Sequence, residues 1–201
     1  TAADNAMTLQ AIVKIIAERN GLCADFSPKP LEGKPGNGFH INMSVKSTDG
    51  LDHLPEMVAG VLDKVGEMTA FLNPTRESYS RLGGYKAPDY ISWSKGNRSQ
   101  LIRIPAAAGE YRRAELRSPD PMANPYLAFA LMIYAGLYGI ERHLEMPHPA
   151  EVDLYQADAE TLVKFRRLPQ NLQSACATAA DSPFIQTYIP EAILAEYRKR
   201  A

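Results

Sequence analysis

The chain has 201 residues, of which 45% are apolar and 22% charged, and its formal net charge at pH 7 is -1. This length and balance are typical of a folded protein with its own hydrophobic core. They argue against a disordered chain and against an overall basic protein that binds nucleic acid. Two cysteines cannot supply a disulfide framework, which favours a reducing compartment, and we expect a cytoplasmic protein.

The spacing of apolar residues predicts strands in the first half of the chain and helices in the second. In chain order we predict a helix capped by Asp4 and stopped near Gly21, a strand over 22–26, a strand over 39–46, a helix over 55–72, strands over 101–104 and 112–117, a helix over 124–144, and C-terminal helices broken near Pro169, Pro183 and Pro190. This order predicts an α+β fold, with an antiparallel sheet packed with helices and a helical C-terminal tail.

One uncharged stretch, residues 121–140, is long enough to raise the question of a membrane helix. It begins with Pro121, Asn124 and Pro125, so about sixteen residues remain for a helix, fewer than the roughly twenty that span a bilayer. We therefore predict a buried core helix and no membrane partner. Cys23 and Cys176 are also interpreted as core residues.

Arginine is concentrated between residues 76 and 117. This segment contains seven arginines and two lysines but only four carboxylates. The arginines are Arg76, Arg81, Arg98, Arg103, Arg112, Arg113 and Arg117. Planar, bidentate donors of this kind concentrate where carboxylates or phosphates are held in a fixed geometry. Charge alone leaves open a solvated basic face or a nucleic-acid patch.

Two of the predicted strands carry polar residues with a period of two. Arg113, Glu115 and Arg117 share one face, so the pKa of Glu115 should be lowered, which suits a metal ligand or an organiser of an anion site. A cross-strand ladder of ion pairs is the alternative. On the other strand His40 shares a face with Asn42 and Ser44, and it follows a glycine turn over residues 36–38. This pattern is typical of a site for phosphate and metal. The alternative is that His40 is a polar residue that only forms hydrogen bonds within the protein.

Several short motifs occur in one fixed order along residues 1–145. They are Lys29-Pro30-Leu31, Pro35-Gly36-Asn37-Gly38-Phe39-His40 with Ser44, Asn73-Pro74-Thr75, Arg81-Leu82, Gly84-Tyr85, Asn97-Arg98-Ser99, Arg117-Ser118-Pro119-Asp120-Pro121 and Ala123-Asn124-Pro125-Tyr126. In this order they resemble the glutamine synthetase family. The match is to the C-terminal portion of one catalytic domain over residues 1–201, and we expect the N-terminal domain and the first part of the catalytic domain to be absent from the chain.

The resemblance implies an ATP-dependent ligase that joins glutamate to ammonia through a γ-glutamyl phosphate. It also implies two divalent cations, Mg²⁺ or Mn²⁺, in a cavity walled by a curved antiparallel sheet, and a homo-oligomeric ring for the intact protein. By motif position the metal ligands are His40 and Glu115, the glutamate-binding residues are Gly36, Arg81 and Arg117, and the nucleotide-binding residues are Asn42, Ser44, Arg98, Arg103 and Arg113. Arg98 and Arg81 would be the catalytic residues.

The sequence departs from the family pattern at several positions. Asn42 replaces a histidine of many members, and Glu110 occupies a place where a lysine often meets ATP. In the family, a loop called the flap covers the amine pocket and carries a glutamate that attracts ammonium. Lys86 stands at the position of this glutamate, and the loop before it is one residue shorter. Two positive charges about 4 Å apart repel by roughly 4 kcal/mol at an effective dielectric constant near 20. Lys86 should therefore repel ammonium, unless it faces solvent and Asp89 or another carboxylate takes over.

The family's other metal carboxylates have no counterpart in this sequence. One histidine and one glutamate cannot hold a pair of magnesium ions, which prefer octahedral oxygen ligands. We therefore predict that the chain alone neither binds two metals tightly nor turns over. Two alternatives stay open at this point: a related ligase that uses a different amine or carboxylate, and a non-catalytic homologue.

Overall fold

The structure is a computed structural model that describes residues 1–84, 86–107 and 109–200, with Glu110 described by its backbone only. Tyr85 of the Gly84-Tyr85 motif and the side chain of Glu110 thus lie outside the described residues. The helices are α1 (Ala2–Arg19), α2 (Leu54–Leu72), α3 (Arg76–Arg81), α4 (Pro125–Glu141), α5 (Ala159–Leu162), α6 (Leu172–Ala180), α7 (Pro183–Tyr188) and α8 (Glu191–Arg198). The strands are β1 (Ile41–Met43), β2 (Trp93–Ser94), β3 (Ile102–Arg103) and β4 (Ala114–Leu116), and a 3₁₀ helix covers Gly109–Tyr111.

The four strands form one small sheet in the order β1-β4-β3-β2. β4 pairs antiparallel with both β1 and β3, so that Asn42 and Arg103 lie on either side of Glu115. β2 and β3 are parallel. The expectation of an α+β fold is confirmed, but the expectation of a purely antiparallel sheet is wrong for this last pair.

The core lies where α2 packs on α4 and where both helices cover the sheet. Most of α2 is buried, including Val58, Val61 and Phe71, and Leu131 and Ala135 of α4 are fully buried against it. The two helices come close because glycines occupy the contact. A Cβ on Gly60 would overlap the Ala135 carbonyl oxygen and would lie 2.6 Å from the Gly139 nitrogen.

The helix boundaries largely match the sequence prediction. α2 begins one residue earlier than predicted, and α4 begins at Pro125, where the Asn124 side chain accepts hydrogen bonds from two backbone N–H groups of its first turn. The C-terminal helices α7 and α8 begin at Pro183 and after Pro190. None of the helices in the described part of the chain is long and apolar enough to cross a membrane.

Several structural predictions need correction. Residues 22–26 form no strand, and Cys23 is exposed rather than in the core. The predicted strand 39–46 is regular only over β1. The sequence predicts a buried α4, yet Ile133 and Leu137, which line the open space beside β1, are exposed. α1 forms, but it begins at Ala2 with Thr1 as its N-cap, so the prediction that Asp4 caps it is wrong. The helix buries none of its residues.

Candidate functional site

The sheet places three candidate residues side by side because β4 lies between β1 and β3. Glu115 lies opposite Asn42 on one neighbour and opposite Arg103 on the other. His40 precedes Asn42 by two residues, so its side chain falls on the same face of the sheet, diagonal to Glu115. The period of two in the sequence thus brings an imidazole, a guanidinium and a carboxylate together.

The Glu115 carboxylate is the centre of this group. Its Oε1 lies 2.9 Å from His40 Nδ1 and 3.4 Å from Arg117 Nη1, and its Oε2 accepts a hydrogen bond from Arg103 Nε at 2.7 Å. The side chain is only 9% exposed. Burial raises the pKa of this carboxyl, but Arg103, Arg117 and His40 outweigh that effect and hold the pKa below its ordinary value. Glu115 is therefore ionised at neutral pH, as the sequence predicts.

The His40 imidazole is about one-third exposed, at 32%. Burial and the positive charge of Arg117 lower its pKa, and the hydrogen bond to Glu115 offsets this only in part. The imidazole is therefore neutral at physiological pH. A neutral imidazole nitrogen beside an ionised carboxylate is the protonation state that metal binding requires.

Two buried arginines form the wall next to this pair. Arg81 is 4% exposed, and its Nη1 and Nη2 donate to the carbonyl oxygens of Ser118 and Arg117 at 2.6 and 3.3 Å. The Arg117 guanidinium donates through Nη2 to the carbonyl oxygen of Lys86 at 3.2 Å. Its buried Nε has no partner among the described residues. The contacts with backbone carbonyl oxygens fix both side chains before any substrate arrives.

A buried polar pair that the sequence analysis assigned no role supports these arginines. Asn73 Nδ2 donates to both the Ser118 carbonyl oxygen and Asp120 Oδ2, each at 2.9 Å, and both side chains are fully buried. Asn73 ends α2 and Asp120 follows β4, so the contact ties the segment after β4 to the helical layer. Their only signal in the sequence is membership of two recognised motifs.

The glycine turn before His40 forms another wall of the candidate site. The Asn37 backbone N–H and side-chain amide donate to the carbonyl oxygens of Pro28 and Ser27, which holds the turn in place. A Cβ on Gly36 would lie 3.0 Å from Arg81 Cγ and would overlap the Pro28 carbonyl. A Cβ on Gly38 would lie 2.8 Å from His40 Nε2. The turn needs glycine at both positions because its backbone packs directly on the candidate site.

Together these groups enclose a cavity of about 380 Å³. Its lining residues are Pro35, Gly36, Gly38, His40, Arg81, Lys86, Ala87, Arg98, Arg103, Glu115 and Arg117. The structure thus brings seven of the ten predicted site residues to one cavity.

The other three predicted residues lie outside this cavity. Asn42 and Ser44 line a second, more apolar cavity of about 510 Å³ between β1 and α4. Arg113 Nε donates to Asn42 Oδ1 at 3.2 Å, so Arg113 belongs with Asn42 rather than with Arg103 and Arg117.

The flap residue Lys86 is exposed at the edge of the cavity. Asp89, the predicted substitute carboxylate, does not line the cavity. It is buried and forms an ion pair with Arg167 instead. The suggestion that Asp89 replaces a flap glutamate is therefore wrong.

The residues present supply part of a metal site. His40 and Glu115 offer one nitrogen and one carboxylate, but no group of three or more His, Cys, Asp or Glu residues suitable for a metal occurs in the described ranges. The two donors fit a divalent cation whose remaining ligands come from elsewhere, such as water and phosphate oxygens, the coordination that Mg²⁺ adopts with nucleotides.

An α+β domain with a cavity walled by arginines is suited to binding and transferring anionic groups. Comparison with known families identifies the class. The family described as "Glutamine synthetase, catalytic domain" matches residues 1–200. The chain belongs to this family.

Individual relatives agree with that assignment. The chain is 41% identical to a glutamine synthetase of Methanosarcina mazei over 97% of its own length and 47% of the relative's. It is 40% identical to a glutamine synthetase of Thermus thermophilus, over 98% of its own length and 48% of the relative's. The chain thus spans about half the length of the curated relatives it matches.

Solved structures give the same result. A structure described as "GmaS/ADP complex-Conformation 1" superposes with a TM-score of 0.85 at 31% identity, covering 98% of this chain and 49% of that one. A second, described as "Apo GmaS without ligand", gives 0.84 at 32% identity, with 98% and 48% covered. The mixed α+β architecture is therefore that of a solved glutamine synthetase-like fold.

Proposed function

We propose that the chain carries part of the active site of an ATP-dependent ligase that forms a carbon–nitrogen bond between glutamate and ammonia. The observation that carries this proposal is the contact of His40 with Glu115 inside the arginine-walled cavity. The names of the relatives support the choice of substrates. The similarity to GmaS, which has been solved as an ADP complex, supports a nucleotide as the phosphoryl donor.

In the proposed reaction ATP phosphorylates the γ-carboxylate of glutamate, and ammonia then displaces phosphate. Arg81 and Arg117 hold the carboxylates of glutamate with the Gly36 backbone, because their guanidinium groups are already fixed by backbone carbonyl oxygens. Arg98 and Arg103 offset negative charge on the transferring phosphoryl group, which is the main contribution a protein makes to phosphoryl transfer. Arg81 and Arg98 are thus the proposed catalytic residues.

The nucleotide and metal are assigned to neighbouring parts of the same face. His40 and Glu115 would hold Mg²⁺ or Mn²⁺, which would supply positive charge to offset the negative charge of the nucleotide's phosphate groups. Asn42, Ser44 and Arg113 would bind the nucleotide beyond Arg98 and Arg103, along the open side of β1. Their separation from the main cavity is consistent with a ligand that extends from one cavity to the other.

We further propose that the intact protein works in the cytoplasm as a homo-oligomeric ring. The exposed apolar side chains of α1, such as Leu9 and Ile12, support packing against further protein.

Titration calorimetry with ADP and Mg²⁺ tests the binding half of the proposal. Arg98 is exposed and forms no ion pair among the described residues, so Arg98→Gln should leave the fold intact and weaken ADP binding at least tenfold. Arg198→Gln, a control on α8 that faces Glu191, should bind ADP like the wild type. Equal affinity in all three proteins would contradict the proposed site.

The incomplete metal site gives a second test. The 201-residue chain should release no phosphate from ATP in the presence of glutamate and ammonia, because two metal donors do not hold a pair of cations. Measurable glutamine formation by this chain alone would show that its residues are sufficient for the reaction.

A further inference from the structure

Lys86 occupies an unusual backbone position at the edge of the cavity. Its φ of 74° lies in the left-handed region, which a non-glycine residue seldom adopts. The turn around it is closed by two backbone hydrogen bonds, from Gly83 to the Ala87 carbonyl oxygen and from Ala87 to the Gly84 carbonyl oxygen. A strained residue that persists in a well-bonded turn is a candidate for a functional role.

Two contacts fix this turn relative to the arginines. Arg117 Nη2 donates to the Lys86 carbonyl oxygen at 3.2 Å. On the other side, Asp89 lies under Gly83, and its carboxylate is held by Arg167. The backbone of Lys86 is therefore held by Arg117, a proposed substrate-binding residue. The Lys86 side chain is not held by this contact and can bind a ligand.

The charges that line the cavity are strongly unbalanced. Five cationic side chains, those of Arg81, Lys86, Arg98, Arg103 and Arg117, face the single carboxylate of Glu115. Glu115 is already bound by two of the arginines. Lys86 forms no ion pair within the described ranges, so its positive charge is available to a ligand.

We propose that Lys86 is a specificity-determining residue, whose ammonium group binds an oxyanion of the substrate at the flap side of the cavity. The oxyanion is a carboxylate or a phosphate group, the chemistry for which the neighbouring arginines are already arranged. This goes further than the proposed function, on which it rests, because the family resemblance places a glutamate and hence the opposite charge at this position. A cation here favours a negatively charged group of the substrate at this side of the cavity.

The test is calorimetric binding of inorganic pyrophosphate, and separately of L-glutamate, to the whole chain. Lys86→Arg keeps the charge and should bind both probes like the wild type. Lys86→Asn removes the charge, while asparagine tolerates the left-handed backbone, so any loss is not due to strain. We expect a threefold to fivefold loss of affinity for Lys86→Asn and at least tenfold for Lys86→Glu. Lys14→Glu on α1, which lies outside the cavity, should change affinity less than twofold.

The two probes distinguish the sources of the oxyanion. A loss with pyrophosphate alone assigns Lys86 to a phosphate group, and a loss with glutamate alone assigns it to a carboxylate; either result supports the proposal. If Arg98→Gln weakens pyrophosphate binding but Lys86→Glu binds both probes like the wild type, the role of Lys86 is overturned while the proposed function stands. A wild-type chain that binds neither probe overturns both.

Discussion

The imidazole of His40 and the carboxylate of Glu115 meet at 2.9 Å across the pairing of β1 with β4, although 75 positions separate them in the chain. The same carboxylate accepts hydrogen bonds from Arg103 and Arg117. It therefore has two roles: it orients the neutral imidazole, and it balances two arginines that would otherwise repel each other in a partly buried place. The second role is a matter of stability and can be measured without any ligand.

Glu115→Ala should lower the free energy of unfolding by about 3 kcal/mol, because removal of one partner of a buried ion pair leaves the other charges uncompensated. Urea denaturation followed by circular dichroism measures this. Glu145→Ala is the matched control, since this glutamate is exposed and should unfold within about 0.5 kcal/mol of the wild type. An unchanged midpoint of urea unfolding for Glu115→Ala would mean that the carboxylate does not stabilise the protein through its contacts with the two arginines.

Asn73 gives a second prediction for the wall of the cavity. Asn73→Ala removes both hydrogen bonds of its amide and leaves the Ser118 carbonyl oxygen and Asp120 with fewer donors in a fully buried place. Each unsatisfied buried polar group costs about 1–3 kcal/mol, so we expect a loss of about 2 kcal/mol in urea unfolding. The exposed Asn20, at the end of α1, provides the comparison: Asn20→Ala should change stability by less than about 0.5 kcal/mol.

The sequence predicts the polar face of this site well because strand periodicity is a local property. His40, Glu115 and Arg117 alternate with apolar residues, and a two-residue period leaves one choice of face. The support of Arg81 could not be predicted in the same way, because its partners are backbone carbonyl oxygens at positions 117 and 118. Such contacts depend on how two distant segments approach each other.

The errors in the fold have equally local causes. Residues 22–26 have the composition of a strand, but no neighbouring strand pairs with them in the described residues, and Cys23 is left exposed. The parallel pairing of β2 with β3 involves only two residues on each strand, too few to leave a pattern. The close contact of α2 with α4 has no signal in the sequence either, because Gly60 and Gly139 have the appearance of ordinary glycines that weaken a helix.

Gly60→Ala tests that helix contact. Alanine has the higher helix propensity, yet its Cβ would overlap the Ala135 carbonyl oxygen, so we expect a loss of about 3 kcal/mol as the helices are forced apart. Gly66 is the matched control on the same helix, because nothing lies within 4 Å of a Cβ placed there. Gly66→Ala should instead stabilise the protein by about 0.5–1 kcal/mol. The midpoint of thermal unfolding should thus fall for Gly60→Ala and rise for Gly66→Ala. Equal destabilisation by both variants would contradict the argument that the packing at Gly60 causes the loss.

A second histidine, to which the sequence analysis gave no role, belongs to a polar cluster at the start of α2, away from the cavity. His53 precedes α2, and its Nε2 lies 3.0 Å from Asp49 Oδ2 while its Nδ1 contacts Glu56. The other oxygen of Glu56 lies 3.1 Å from Nδ1 of His143, which follows α4. The hydrogen bonds to Asp49 and Glu56 raise the pKa of His53 above its ordinary value of 6.5, and the pKa values of both carboxyls are lowered.

These directions fix the sign of a pH dependence. A histidine whose pKa is raised in the folded state contributes stability that is fully present below the unfolded value of 6.5 and is lost as the pH rises through the folded value. Both carboxyls stay ionised throughout this range. The difference in unfolding free energy between the wild type and His53→Gln should therefore be largest near pH 6 and shrink towards pH 9, as measured by urea denaturation at each pH. Asn20→Ala, which removes no titratable group at an exposed position, should show a difference that does not change over the same range. A wild-type advantage over His53→Gln that grows with pH would mean that the imidazole is held in its neutral form.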